Sequence, residues 1–349
     1  MGTVTDAAID CTRRPIDAAL WLARAFVDGR RLAVRAPGAV DHAHHVAVEF
    51  VHPVIAGARP LPVVVIEQRS ESSSDDVLLL IGDDPSPWGA HLVISTDQPD
   101  IDIVRSYHLL WELVHVALEH PGLVGADAGA GGDSTGFLYP FLDAAETDAG
   151  ALRDALTASA QAKIADSTEL VADTLLANAD ALETAACAAA AVTQAGGRIH
   201  TMGNGGSATD AARLARLLQS IGAASLPLSS DYAVVTALAN DVGVERVFAR
   251  QVEALTRPGD LLVGCSTSGT SPNLLAAFRA ADSRGLSTVG ISGYGGDSFA
   301  VEPSVHHRLD VGSSSVHRIQ EAQAALMTEF CAAVAHRISA RREPGKGPG

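Results

Sequence analysis

Two short stretches combine residue types and spacing that could hold a phosphate. In GNGGS, residues 203–207, Gly203, Gly205 and Gly206 let backbone amides approach a ligand closely, and a helix opening behind them favours negative charge. In CSTSGTSPN, residues 265–273, Ser266, Thr267, Ser268 and Ser271 supply hydroxyl donors around a second strand-to-helix turn. A phosphate has several acceptor oxygens, and a hydroxyl-rich turn can wrap them without a lysine. Neither stretch is a Walker loop or a dinucleotide fingerprint, since G-K-[ST] and GxGxxG are absent from both. Taken singly, GNGGS is also compatible with an ordinary turn and STSGTS with a serine-capped helix start. Together, at the ends of successive parallel strands, they fall where open α/β sheets bind ligands. Histidines concentrate elsewhere: of the 13 in the chain, His42, His44, His45, His52, His91, His108, His115 and His120 fall in the first 120 residues.

The elements that must position these groups alternate. GRIHTMG, ASLPLS and DLLVGCS read as strands, each followed by helix-compatible sequence, and LSTVGIS and VHHRLDV as further strands. A long helical pattern without proline runs from about 143 to 195, and a last helix from about 315 to 340. Repeated βα units of this kind predict a parallel sheet covered by helices. The first third repeats the plan in shortened form. DGRRLAVRAPGAVDHAHHVAVEF matches AGGRIHTMGNGGSATDAARLARL, LPVVVI matches ASLPLS, DDVLLLIGDDPSP matches GDLLVGCSTSGTSP, GAHLVIST matches LSTVGIS, and DIVRSYHLLWELVHVALEH matches the final helix. The shared order predicts a tandem duplication whose first copy has lost most of its crossover helices. The domain expectation is a first copy over 1–121, a flexible linker over 122–142, a second copy with an N-terminal helical segment over 143–340, and a frayed tail over 341–349.

Composition narrows the function classes. The net charge of -16 disfavours binding to nucleic-acid backbone. Hydrophobic residues at 47% against 19% charged residues allow a large core. No apolar run reaches membrane-spanning length and no signal-peptide core is present, so no membrane partner is expected. Cys11, Cys187, Cys265 and Cys331 form no CxxC pair, and reduced thiols in a cytoplasmic protein are expected.

The stretches GNGGSATDAARLA, ALANDVGVERVFARQV, GDLLVGCSTSGTSPNLLAAFRAADSRGLSTVGISG and HRIQEAQ resemble the bacterial phosphoheptose isomerases, members of the sugar isomerase (SIS) domain family, from about 144 to 338. The resemblance implies tandem SIS-type three-layer α/β/α sandwiches with parallel sheets, the first copy shortened. It also implies a phosphorylated sugar as substrate, with sedoheptulose 7-phosphate isomerised through an enediol, and a homo-oligomer, here a dimer of tandem copies. The phosphate-binding positions it carries over are Asn204, Gly205, Ser207, Ser266, Thr267, Ser268 and Ser271, while Asp241 and Gln320 match positions that line the family's site.

The second copy departs from the family where proton transfer is needed. The family's histidine and glutamate, four residues apart on the helix after GNGGS, are Arg213 and Leu217 here, and its last-helix histidine is Thr328. Arginine cannot act as a base near neutrality and leucine has no proton chemistry. The first copy supplies candidates. His45 and Glu49 stand four apart, on one helical face, and match the lost pair when one residue is gapped in the preceding turn. Aligning Arg105 with Arg318 puts His115 on the last-helix histidine, with His108 seven residues before it. The expectation is a composite site. Glu49 is the general base, His115 the general acid/base and His45 a metal ligand or orienting group, and the second copy holds the phosphate. The resemblance also implies zinc, with His45, Glu49, His115 and in addition His108 as ligand types. Glu112 is expected on a helix surface and Trp111 in the core, and His306, His307 and His317 at strand ends and in loops. Two other readings stand beside this one. One is a non-catalytic sugar-phosphate-binding regulator or scaffold. The other is a related sugar-phosphate lyase or aminosugar isomerase.

Overall fold

The computed structural model describes residues 8–53, 59–124, 148–295 and 297–340. Most of the expected linker and all of the expected tail lie outside these residues. The chain divides into two compact units, Met1–Asp166 and Ser167–Gly349. No single helix among the described residues is long and apolar enough to cross a membrane.

The first unit contains β1 (Ile9–Asp10), α1 (Pro15–Val27), β2 (Leu32–Arg35), α2 (Val40–Val51), β3 (Val63–Val65), β4 (Val77–Ile81), β5 (Leu92–Ile94), α3 (Asp100–Glu119) and α4 (Pro121–Val124). The helix α5 (Ala149–Ala177) runs across the division. The second unit continues with α6 (Ala179–Gln194), β6 (Ile199–Met202), α7 (Gly206–Ser220), β7 (Ser225–Pro227), α8 (Tyr232–Asp241), α9 (Val247–Leu255) and β8 (Leu261–Cys265). It ends with α10 (Pro272–Ser283), β9 (Ser287–Ser292), α11 (Asp297–Val301), β10 (His307–Asp310) and α12 (Val316–Ala340).

Each unit has one five-stranded parallel sheet. The orders are β1-β5-β4-β2-β3 and β10-β9-β8-β6-β7. Strands buried on both faces need apolar runs rather than alternation, and VLLLI of β4 and LLVGC of β8 are buried throughout. In both sheets the chain order reverses between two central strands, β2 and β4 in one, β6 and β8 in the other. Such a switch point opens a crevice at the carboxyl ends of the strands. Pairing of Met202 with Gly264 ends β6 and β8 level, so the loops after them emerge side by side.

The layers differ between units. In the second, the sheet's two faces carry separate cores: one with Ala189, Leu214, Ile319 and Leu326 under α6, α7 and α12, the other with Val252, Phe248 and Phe278 under α9 and α10. In the first, α1 and α2 both pack on α3. The other face has only a small cluster of Ala33, Ile66 and Leu78, covered by Val64, Trp88 and Ala90. The connections from β3 to β4 and from β4 to β5 carry 3-10 turns rather than crossover helices. The fifth strand also enters differently: β10 follows β9 in the chain, whereas β1 comes from the N-terminal side and pairs with β5. One further departure from the sequence reading is the break after α5. Asn178 closes it by donating from Nδ2 to the Asp310 carbonyl at 2.9 Å and accepting from the Asp310 amide at 2.8 Å.

Candidate functional site

The second unit's two loops form one cradle. Gly205 precedes α7 at φ +55°, a conformation that favours glycine. Gly203 has no room for a side chain, because a Cβ there would collide with the Ser207 carbonyl in the first turn of α7. The reciprocal amide pair Asn204–Asn273 ties the loop after β6 to the first turn of α10, with bonds of 3.0 and 2.9 Å. In the other loop, the Ser266 hydroxyl accepts the Gly269 amide at 3.0 Å and lies 3.5 Å from both Ser268 Oγ and Ser271 Oγ. Two helix N-termini, those of α7 and α10, thus open beside four hydroxyl-bearing side chains, an arrangement suited to an anion. Asn204 and Gly205 are exposed and Thr267, Ser268 and Ser271 half-buried, while Ser207 and Ser266 are buried behind them.

The helix α12 closes one side of this cradle. Gln323 donates from Nε2 to the Ser266 carbonyl at 3.1 Å, and Gln320 is buried one turn earlier. Asp241 is exposed at the end of α8, with Asn240 donating to it at 2.7 Å. At the departed positions, Arg213 is buried and paired with Asp210 at 3.0 Å, Leu217 packs on the core, and Thr328 is exposed.

The first unit presents different chemistry on the side of β4 away from its switch point beside β2. A cavity of about 360 Å³ lies at the ends of β1, β4 and β5, its lining including Asp10, Arg13, Asp83, Ser95 and Asp97. Asp83 accepts from the Thr96 side chain at 2.8 Å, the Thr96 amide at 2.7 Å and the Ser95 hydroxyl at 2.9 Å. These bonds, Thr96 foremost, hold its carboxyl below the usual carboxylate range. Donors that could meet a phosphate are spent on an anion already there.

The histidines and glutamate that the sequence singles out lie instead on α2 and α3. His45 Nε2 is 3.6 Å from Glu49 Oε1 and 3.3 Å from His108 Nε2. These three side chains are buried, and their ligand-type atoms all lie within 4.8 Å of one another. Trp111 donates to the Glu49 carbonyl at 2.6 Å, and Tyr107 packs on both His45 and His108. His115 is a further two turns along α3. Its Nδ1 donates to the Trp111 carbonyl at 2.9 Å, which fixes the proton on Nδ1 in the neutral ring. Among the described residues, the group of three that could share an ion is thus His45, Glu49 and His108, whereas the sequence reading gave His115 the third place.

Two expectations are corrected. Glu112 is buried, not on the surface, and pairs with Lys163 of α5 at 2.5 Å; the sequence of α3 alone cannot show what packs over it. His317 is buried in the first turn of α12, not in a loop. Trp111 is in the core as expected.

The SIS domain model matches residues 162–293. A phosphoheptose isomerase of Solidesulfovibrio magneticus is 42% identical over 165 residues, 46% of this chain and 79% of the relative. One of a Roseiflexus species is 43% identical over 142 residues, 39% of this chain and 71% of the relative. Among solved structures, the C-terminal domain of glucosamine-fructose-6-phosphate aminotransferase from Francisella tularensis aligns over 94% of this chain and 95% of its own at 10% identity, with a TM-score of 0.57. At that identity it speaks for the fold alone.

Proposed function

The chain belongs to the SIS domain family, among relatives of the phosphoheptose isomerases, and from that premise we propose that it interconverts a phosphorylated ketose and aldose, sedoheptulose 7-phosphate by similarity. The observation that carries catalysis over mere binding is the buried His45–Glu49–His108 cluster, which a phosphate-binding scaffold does not need. In this reading the units divide the work. The second holds the phosphate through Asn204, Gly205, Ser207, Ser266, Thr267, Ser268 and Ser271, with Asp241 and Gln320 toward the sugar. The first supplies proton transfer: Glu49 takes the proton from carbon to form the enediol, and His115, with Nδ1 committed to the Trp111 carbonyl, exchanges protons with the sugar oxygens through Nε2.

The donor set also fits zinc. Two imidazole nitrogens and a carboxylate oxygen, all buried, converge as a three-ligand site requires. His42 beside Asp100 at 3.2 Å adds a second histidine–carboxylate pair on the same two helices. His45, Glu49 and His108 would hold the ion. Zinc bound there supplies Lewis-acid stabilisation of negative charge on substrate oxygen. The assembly proposed is a dimer of two-unit chains.

The test is incubation with sedoheptulose 7-phosphate, with and without zinc, followed by NMR. Turnover is expected, and Glu49→Gln is expected to lower kcat by about 10³-fold, because the amide cannot accept the proton. One observation favours a second reading, a non-catalytic sugar-phosphate sensor: Arg213, buried and paired with Asp210, and Leu217 stand where the family's acid/base pair belongs. That reading requires thermal stabilisation by the sugar phosphate, no turnover, and indifference to Glu49→Gln.

A further inference from the structure

The helix α12 meets the hydroxyl-rich loop through the face that carries Ile319 and Gln323, one turn apart. Gln323 is fully buried, on a helix that sends Ile319, Ala322, Leu326 and Met327 into the unit's core. Its Nε2 donates to the Ser266 carbonyl at 3.1 Å, and its Oε1 has no hydrogen-bond partner among the described residues. An unpaired buried acceptor costs stability that an apolar side chain of similar length would not. What glutamine supplies at this position, and an apolar residue cannot, is the donor to Ser266.

That bond fixes a peptide plane. The described residues contain no cis peptide bond, and in a trans peptide the carbonyl and the following amide point to opposite sides. With the Ser266 carbonyl held toward α12, the Thr267 N–H is turned away from that helix. The Thr267 carbonyl lies on the α12 side too: a Cβ at Gly293 would come within 2.7 Å of it and 2.5 Å of Ile319 Cγ2. The Ser268 N–H is thereby turned away as well. Among the described residues neither amide meets an acceptor, whereas the next two are taken, Gly269 by the Ser266 hydroxyl at 3.0 Å and Thr270 by the Ser268 hydroxyl at 3.3 Å. Successive backbone amides turned to one side make a concavity suited to an anion.

We propose that Gln323 is a positioning residue for phosphate: by holding the Ser266–Thr267 peptide against α12, it aims the Thr267 amide into the cradle as a backbone donor beside the Ser268 and Ser271 hydroxyls. The proposal rests on the reading that the cradle takes the phosphate of a sugar phosphate. Gln323 itself touches neither the phosphate nor the sugar. It acts through the orientation of one peptide plane, so its loss weakens the grip on phosphate without removing any group that meets the ligand.

The experiment uses full-length protein labelled with ¹⁵N at threonine, the Thr267 amide signal being assigned by its loss in Thr267→Ser. Inorganic phosphate is expected to shift that signal and to raise the melting temperature. In Gln323→Met, which keeps the length and the apolar fit, the dissociation constant for inorganic phosphate is expected to rise about tenfold. The melting temperature of the ligand-free variant stays within about 2 °C, because the lost donor and the removed unpaired acceptor offset each other. The KM for sedoheptulose 7-phosphate rises by a similar factor with kcat within about threefold, since phosphate is gripped alike in ground and transition states. Gln323→His, whose ring Nε2–H can stand near the place of the glutamine nitrogen, is expected to bind phosphate within about threefold of the unsubstituted protein. A Thr267 signal unmoved while phosphate raises the melting temperature overturns the proposal and leaves the phosphate reading standing. Phosphate that neither shifts the signal nor stabilises the fold overturns that reading, and the proposal with it. A Gln323→Met protein that keeps full phosphate affinity, or loses it only in step with its stability and without recovery in Gln323→His, confines Gln323 to a structural role and overturns the proposal.

Discussion

Gly203 is the residue on which the cradle's shape depends. The obstacle to a side chain there is the backbone of Ser207, which cannot rotate away as a side chain could. Gly203→Ala must therefore push α7 off its present start, moving Gly205 and Ser207 together. The expected cost is about 2–3 kcal/mol of stability and loss of stabilisation by sedoheptulose 7-phosphate in a thermal-shift assay. A second effect belongs to His200, buried in β6 with Nε2 at 3.3 Å from Asp260 Oδ2. Burial pushes its pKa below the ordinary 6.5; Asp260 opposes this without reversing it. The folded chain keeps His200 neutral at pH values where the unfolded chain takes up a proton. Stability is thus fully present above about pH 6.5 and is lost as pH falls toward the folded value. His91 and His307 are shifted down by burial in the same way and act in the same window. The melting temperature is expected to fall between pH 7 and pH 5, less steeply in His200→Gln. At this scale the sequence shows the glycines and hydroxyls plainly, because turns reuse few residue types. It does not show that Glu112 and His317 are buried, because that depends on what covers each helix.

Single elements explain how chemistry-bearing residues come to be inside. The helices α2 and α3 bury His45, Glu49, His108 and His115 among Val46, Phe50, Leu110 and Val114, so the reactive groups share faces with the core. Glu112 lies among them on α3, and its ion pair with Lys163 is nearly enclosed, with the side chains 3% and 18% exposed. Removing one partner of such a pair leaves a charge with reduced solvation, whereas replacing both need not. Lys163→Met is expected to cost roughly 3 kcal/mol in urea unfolding, with at least half recovered in Lys163→Met/Glu112→Leu. An additive double mutant would show that the pair is not coupled. The elements themselves were legible where their pattern is long or uniformly apolar. LAVR, VLLLI, IHTM, LLVGC and STVGIS are strands as read, and α12 starts within a residue of the expected position. The strand β1 escaped because two residues carry no periodicity, and the break at Asn178 because helix propensity continues through it.

At the scale of the whole chain, two sheets of corresponding order carry unlike chemistry at corresponding places. Where the second unit offers hydroxyls and helix N-termini after β8, the first offers Asp83 after β4, ionised and already hydrogen-bonded. Without a helix between β4 and β5, the first unit also lacks the N-terminal dipole that α10 brings. Hydroxyls and helix N-termini thus gather at the second unit's switch point, whereas carboxylates beside Arg13 gather at the ends of β1, β4 and β5 in the first. The residues proposed for proton transfer show the reverse distribution, with His45 and Glu49 in the first unit and Arg213 and Leu217 at the matching positions of the second. Neither unit holds a complete set, and this is the physical basis for the proposed division of labour within one chain. It leads to a test by complementation. Let Glu49→Gln chains and Ser266→Ala/Ser268→Ala chains be co-expressed with different tags and the mixed oligomer isolated. If both units of one chain serve the same site, every site in the mixture carries one lesion, and activity is expected to stay at the level of the separate variants. If a site takes its first unit from one chain and its second from another, some sites escape both lesions, and recovery of a quarter or more of the unsubstituted activity would refute the single-chain arrangement.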